Sequence, residues 1–279
     1  MSSYVTTMNS IAFPPELFET FKTGTVLDEL LCSYQGLPKG VNYMVIGDPG
    51  VGKTTVVLDC LANILKNNPR VKVLFISAEM TEIDLAIYAF RYPKIGNLKI
   101  LFIESNFEKK TSEWENLNAE LAEGYDIVAI DSFFELQGIV KEEENVNMKT
   151  AESMLLSLIK KHNKGENGAG KNTTFLTIQQ VTKSGAFLGS NRLKHAITAM
   201  MELRLASKNN PYSDRFVVFS KHRRGDVGKQ LYYSLEKSGD VTFDESRYRT
   251  DMLQKDLAKK ANDAIIDYAE KFKQLFQRR

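Results

Sequence analysis

One short segment limits what this chain can become: Val41 to Thr55, VNYMVIGDPGVGKTT, which reads as a buried strand, a glycine turn and a helix start. Gly47, Asp48, Pro49, Gly50, Val51, Gly52, Lys53 and Thr54, with Thr55 just behind, fit G-x-x-x-x-G-K-[ST], the P-loop. In that pattern backbone N–H groups wrap the phosphates of a nucleotide, and the helix aims its N-terminal dipole at the anion. Glycines are needed because the backbone must approach phosphate oxygens closely and adopt conformations that a Cβ would block. Lys53 would place a point charge on the β and γ phosphates, and Thr54 would ligate Mg²⁺. The context is the required one, with an apolar run from Tyr43 to Ile46 before the turn and Val57, Leu58, Leu61, Ile64 and Leu65 at helical spacing after it. A working nucleotide site is expected; the alternative is a degenerate P-loop that binds without hydrolysing.

With 279 residues and 43% hydrophobic content, the chain can build one large core with short appendages, or at most two small domains. One is expected. A formal charge of +2 does not diagnose nucleic-acid binding, so such contact would need local basic patches. Cys32 and Cys60 imply no disulfide framework, and no apolar run approaches the ~18 residues needed to span a bilayer. The N-terminus lacks a basic region followed by an apolar stretch, so a cytosolic, reducing compartment without membrane attachment is expected.

Further strands are expected at Val71–Ile76, Leu98–Ile103, Asp126–Ile130 and Phe175–Ile178. The first runs into Ser77, Ala78 and Glu79. A carboxylate just past the C-terminal end of such a strand lies where open α/β sheets bind ligands, so Glu79 is a candidate general base for an attacking water. The bland reading is an exposed loop glutamate. Asp131, at the end of another apolar run, has the arrangement that holds Mg²⁺ or its water shell in P-loop ATPases. Gln179 and Gln180 reach the same sheet edge; alternation turns one of them away, and Gln180 is expected to face a γ-phosphate or its water.

Thr182 to His195, TKSGAFLGSNRLKH, is polar, glycine-bearing and basic. It suits either a mobile loop gripping a nucleic-acid backbone or a plain solvated loop. Glu142, Glu143 and Glu144 read as a solvated acidic loop. Strands at Met200–Leu205 and Arg215–Ser220 are followed by Lys221, His222, Arg223, Arg224 and Gly225, either an ordinary turn or a source of cations for a neighbour's γ-phosphate. A closing hairpin is expected over Gln230–Leu235 and Val241–Phe243. From Asp251 onward, Leu253, Leu257, Ala261, Ile265, Tyr268, Phe272 and Leu275 recur at helical spacing, as in a helix packed on the core or a partner. Near the N-terminus, Phe13, Pro14, Pro15, Leu17 and Phe18 read as a short apolar arm, docked on its own domain or a neighbouring subunit.

In this order the motifs resemble those of the RecA-like ATPases, in the branch holding RadA-type recombination motors and DnaB-type replicative helicases. The resemblance covers residues 22–245. Thr23, Gly24, Leu27, Asp28, Leu30, Gly36, Leu37, Pro38 and Gly40 look like the lead-in segment of RadA and KaiC relatives. LFISAEM resembles the helicase motif whose catalytic glutamate falls on Glu79, and AIDS resembles Walker B at Asp131. QVTKSGAFLGSNRLKH is similar to the RadA stretch H-V-T-K-x-G to R-x-L-E-H, which implies a phosphate sensor at Gln180 and DNA contacts at Lys183, Ser184, Gly185, Arg192 and Lys194. KHRRG resembles K-N-R-F-G of RadA and K-x-R-x-G of DnaB, which implies that Lys221 and Arg223 act in trans. Three family features do not fit here: the zinc motif and protease-like domain of RadA, and the helical N-terminal domain of DnaB.

The resemblance therefore implies an α/β, RecA-like core with a mainly parallel twisted sheet flanked by helices, a C-terminal β-hairpin and a helix. It implies an arm over 1–21, an ATPase core over 22–245 and an amphipathic helix over 246–279. The implied function is a DNA-dependent ATPase using ATP and Mg²⁺, most like a hexameric helicase on single-stranded DNA. Its expected partners are copies of itself, single-stranded DNA and replication or recombination proteins. A recombination or branch-migration ATPase and a KaiC-like regulator without DNA binding are the alternatives.

Overall fold

The computed structural model describes residues 7–10, 15–103, 112–181, 189–208 and 210–277. Strand β1 (Thr20–Phe21) pairs antiparallel with β2 (Leu37–Pro38) around a one-turn helix, α1 (Asp28–Leu31). The Asp28 carboxylate closes this lead-in by accepting from the backbone N–H groups of Thr23 and Gly24, 2.8 and 3.0 Å away. There follow β3 (Asn42–Gly47), α2 (Lys53–Asn67), β4 (Val73–Ser77), α3 (Glu82–Arg91), β5 (Lys99–Phe102), α4 (Glu113–Ala122), β6 (Ile127–Asp131), α5 (Phe133–Glu143) and α6 (Met148–Asn163). The chain continues through β7 (Thr174–Gln179), α7 (Asn191–Ala196), β8 (Ala199–Leu205), β9 (Arg215–His222), β10 (Gln230–Leu235), β11 (Val241–Phe243) and α8 (Glu245–Gln277).

Among the described residues nine strands form one sheet in the order β11-β10-β9-β8-β3-β7-β6-β4-β5. The run from β8 to β5 is parallel, and β9, β10 and β11 add antiparallel to the β8 edge. The α/β architecture and closing hairpin expected from the sequence are thus present. A parallel strand covered on both faces must be apolar throughout, and β3 is buried along its whole length. Its alternate side chains serve two cores: Tyr43 and Val45 pack with α2 and its neighbours, Met44 and Ile46 with α5 and α6. Burying each such side chain stabilises the fold by roughly 1.5–3 kcal/mol.

This topology decides where a ligand can sit. From β3 the chain crosses to β4 on one side and later returns to β8 on the other, so a crevice opens at the C-terminal end of β3. The P-loop is the segment that leaves there.

One expectation is corrected and a second is narrowed. Glu142 and Glu143 belong to the last turn of α5, and Glu143 is no free acid: its carboxylate accepts from the Glu113 and Trp114 N–H groups, 3.0 Å each, capping α4. A local reading could not pair an acidic run with a helix start some thirty residues earlier. The C-terminal helix begins at Glu245 and is fastened by buried Tyr248, but from Leu253 its described side chains are exposed, so it does not pack on its own core. In the arm, Phe13 and Pro14 lie outside the described residues, and Phe18 sets its ring edge-on to Tyr34 with centroids 5.6 Å apart. Among the described residues no helix is long and apolar enough to cross a membrane.

Candidate functional site

Helix α2 starts without the side-chain cap that α3 to α7 have. Thr81, Ser112, Ser132, Asn147 and Ser190 each accept a backbone N–H at the start of α3, α4, α5, α6 and α7. At α2 the cap is Gly52, in the left-handed region with φ 98° and no side-chain bond, so the first-turn donors stay available for an anion. Only glycine suits the position: besides its φ, a Cβ there would come within 2.6 Å of the Leu235 side chain. Leu235 ends β10, and from the same strand the Tyr233 hydroxyl donates to the Val51 carbonyl at 2.8 Å. The hairpin therefore holds the P-loop from behind.

The elements around α2 bring Glu79, Asp131 and Gln180 into one cleft of about 410 Å³, whose wall also includes Lys53 and Thr54 of α2. Lys53 Nζ donates to the carbonyls of Gly47 and Asp48 at 2.9 and 3.2 Å. Burial draws the Lys53 pKa down, against the upward pull of Asp131, Glu79 and Asp48. The Thr54 hydroxyl donates to Asp131 Oδ2 at 2.6 Å. Glu79 is set by backbone: the N–H groups of Ala78 and Glu79 both donate to the Asp131 carbonyl, at 2.7 and 3.2 Å. Pleating separates the glutamines, with Gln179 buried in the sheet and Gln180 in the cleft wall, its Nε2 donating to Glu79 Oε2 at 3.4 Å.

Asp131 is buried, and burial pushes its carboxyl up to about 6, with the Thr54 bond and Lys53 opposing and Glu79 adding to the rise. The native state keeps this proton to about pH 6, whereas an unfolded carboxyl loses it near 3.8, so stability falls as pH rises through that window. Asp131→Asn should therefore raise the unfolding temperature by several degrees at pH 8 without nucleotide or Mg²⁺, a gain on the order of 2–3 kcal/mol. The gain should vanish near pH 4. Thermal scans of both proteins at the two pH values check this, and equal melting at pH 8 would refute the cost assigned to the buried charge.

Lys221 and Arg223 are not in this cleft. Lys221 lies within β9, not beyond it, and its ammonium donates to the carbonyls of Lys194 and, at 2.9 Å, Ile197; Arg223 donates to the His195 carbonyl at 2.9 Å. Both side chains cap the C-terminus of α7, where cations are favoured. His222, between them, turns inward against Tyr43 and Phe219, with ring centroids 5.4 and 4.7 Å away. Its Nδ1 accepts the Arg224 N–H, leaving Nε2–H to donate to the Leu30 and Leu31 carbonyls, and burial draws its pKa down. A Cβ on Gly225 would meet that ring at 2.7 Å, which explains the glycine of KHRRG.

Of the residues expected to touch DNA, Lys183, Ser184 and Gly185 lie outside the described residues. Arg192 and Lys194 are on helix α7 rather than in a mobile loop. The Ser190 hydroxyl and N–H both donate to the buried Glu152 carboxylate on α6, fixing the helix start, and Arg192 Nη1 donates to Ser153 Oγ at 2.8 Å. The sequence around 190 hid this because the partner, Glu152, sits on another helix. Lys160, Arg192, His195 and Arg223 share the wall of a second cleft, about 430 Å³, between α6, α7 and the end of β9.

Sequence reasoning missed the apolar wall of the first cleft. Tyr88 of α3 and Leu235 of β10 line it, together with Ile178 and Val181. Helical spacing alone does not say which face Tyr88 serves. For Leu235 the signal was indirect: a glycine at 52 implies a close approach but does not name the approaching group.

A protein-family profile described as an AAA domain matches residues 29–166. A KaiC-like protein from Pyrococcus horikoshii superposes with a TM-score of 0.59, covering 81% of this chain and 98% of that one at 18% identity. The fold is that of the RecA-like P-loop NTPases. Among curated proteins, this RecA-like chain is similar to the DNA repair protein RadA of Aquifex aeolicus, 24% identical over 206 residues, or 73% of this chain and 42% of that protein. It is also similar to the DNA repair protein RadA of Helicobacter pylori, 24% identical over 234 residues, 83% of this chain and 47% of that one. The chain thus spans less than half the length of these relatives.

Proposed function

We propose that this chain is an ATP-driven motor on single-stranded DNA, a helicase of the DnaB and RadA kind that hydrolyses ATP between copies of itself, six in a ring. One observation carries the reading: Lys53, Thr54, Glu79, Asp131 and Gln180 share a cleft while Lys221 and Arg223 stand outside it, which leaves a neighbour's copies as the cations this reading assigns to the γ-phosphate. Lys53 and the uncapped N–H groups of α2 would hold the phosphates, and Thr54 with Asp131 would hold Mg²⁺. When bound, the ion neutralises charge on the phosphate oxygens. The donor set fits it, since Thr54 and Asp131 already meet oxygen to oxygen at 2.6 Å. Glu79 would orient the attacking water and take its proton as the bond from water oxygen to the γ phosphorus forms and the β–γ bridging bond breaks. Gln180, bonded to Glu79, would sense the change.

The cations of Lys160 and Arg192, with the His195 ring beside them, suit a phosphodiester backbone. The likeness to RadA proteins favours a second reading, a recombination or branch-migration ATPase, which strand displacement on forked against three-stranded substrates separates from the first. In either case replication or recombination proteins are the expected partners. The test is ATP turnover across protein concentration with and without single-stranded DNA. Turnover per protomer should climb with concentration and with DNA, and DNA retention should fall linearly in log salt. A KaiC-like nucleotide-gated scaffold would bind ATP yet show no DNA retention at low salt, and that result would overturn the motor reading.

A further inference from the structure

Two helix faces of this chain carry large apolar side chains that are more than half exposed. On α3, Leu85 is buried and Tyr88 faces the nucleotide cleft, but Ile83, Ile87 and Phe90 stand 76, 56 and 90% exposed. Their spacing of four and three places them along one outer face. On α8, Leu253, Leu257, Ile265 and Tyr268 are at least half exposed along a helix held to the core only by its first turns. A helix of this kind draws most of its stability from packing its apolar stripe, so both faces call for a cover.

We propose that α8 of one copy lies parallel to α3 of the next copy and covers its outer face. The inference rests on the reading of the chain as a self-assembling ATPase and names the contact. The spacing of Ala261, Ile265 and Tyr268 repeats that of Ile83, Ile87 and Phe90, so a single alignment brings all three pairs together. Charge selects the direction. Helix α3 runs from acidic Glu82 to basic Arg91, and α8 runs from Lys259 and Lys260 to Asp263 and Glu270. Laid parallel, Glu82 meets the lysines and Arg91 meets Glu270, while Asp84, which falls near Asp263, is held at its own helix start by bonds from Thr81; reversed, Glu82 would face Glu270 and Arg91 the lysines. None of Glu82, Arg91, Lys259, Lys260, Asp263 and Glu270 is ion-paired among the described residues. Because the two surfaces differ, the contact is head-to-tail and propagates into a ring or filament instead of closing as a dimer. It also sets a neighbour's helix against the element that lends Tyr88 to the nucleotide cleft.

The test uses the full chain with ATP and Mg²⁺, in two differently tagged forms, Ile87→Cys and Ile265→Cys, treated with a short bis-maleimide. The native Cys32 and Cys60 are buried, which leaves the introduced thiols as the reactive pair. Mixing the two forms should give a covalent hetero-pair, and each form alone should give none. Cross-linking of Ile265→Cys with itself would overturn the proposal in favour of an antiparallel α8 pair. A link within one chain carrying both substitutions, without dimers, would overturn it in favour of α8 folding back. Assemblies seen by sedimentation but never cross-linked would overturn this contact while leaving the assembled ATPase standing; a monomer under all conditions would overturn both.

Discussion

Arg223→Ala should lower ATP turnover of the assembled protein by about a thousandfold or more, the loss expected when a trans-acting cation is removed from phosphoryl transfer. Nucleotide affinity should stay within a few fold, because Arg223 lies outside the cleft that binds it. The fold should tolerate the change, since the exposed side chain gives up one bond to the His195 carbonyl while Lys221 still caps α7. Mixing supplies the decisive measurement. Arg223→Ala protomers keep an intact P-loop, and Lys53→Ala protomers keep an intact Arg223, so each form alone should be inactive. Co-assembled, they create junctions in which one copy's P-loop meets the other's arginine, and turnover should return. No recovery on mixing, or equal loss of affinity and turnover in Arg223→Ala, would sink the trans role.

Glu79→Gln should cut turnover by about 10²- to 10⁴-fold, the range for loss of a general base, with ATP affinity nearly unchanged. The amide keeps the size of the carboxylate and an oxygen for the bond from Gln180, now 3.4 Å, so the cleft should hold its shape while losing its proton acceptor. Single-turnover hydrolysis together with equilibrium nucleotide binding separates the two quantities. Turnover close to wild type would reassign the proton to another group, and Asp131 is the only other carboxylate in the cleft wall among the described residues. The mutant would also trap the nucleotide-bound assembly in which the α8–α3 contact is read.

The parts of this site that were legible in sequence share a cause. A loop that wraps phosphate needs glycines and a lysine at fixed offsets, and a carboxylate at the end of a buried strand is announced by the apolar run before it; both signals are local. The pleat even separated Gln179 from Gln180. Where the chemistry depended on distant segments meeting, the reading was incomplete. Lys221 and Arg223 suit either a plain turn or cations for a neighbour in the sequence, and within their own chain they cap α7, a contact no spacing announces. The acidic end of α5 was read as solvated because its partner, the start of α4, lies far back in the chain. Composition makes residues 182–195 look like one loop, but from Asn191 the described part is helix, its start held by charge-assisted hydrogen bonds from Ser190 to Glu152.

By itself the sequence determined the strand, turn and helix of the P-loop, the alternation of strands and helices and hence a parallel α/β sheet, because periodicity and glycine placement act within a few residues of where they are written. Tertiary structure alone decided that the hairpin at Tyr233 and Leu235 clamps the P-loop, that Tyr88 looks into the cleft while Ile83, Ile87 and Phe90 look out, and that α8 leaves the core uncovered. Those outcomes depend on strand order, which sets residues nearly two hundred positions apart against each other, and burial of shared apolar surface, not any local preference, fixes which of them meet.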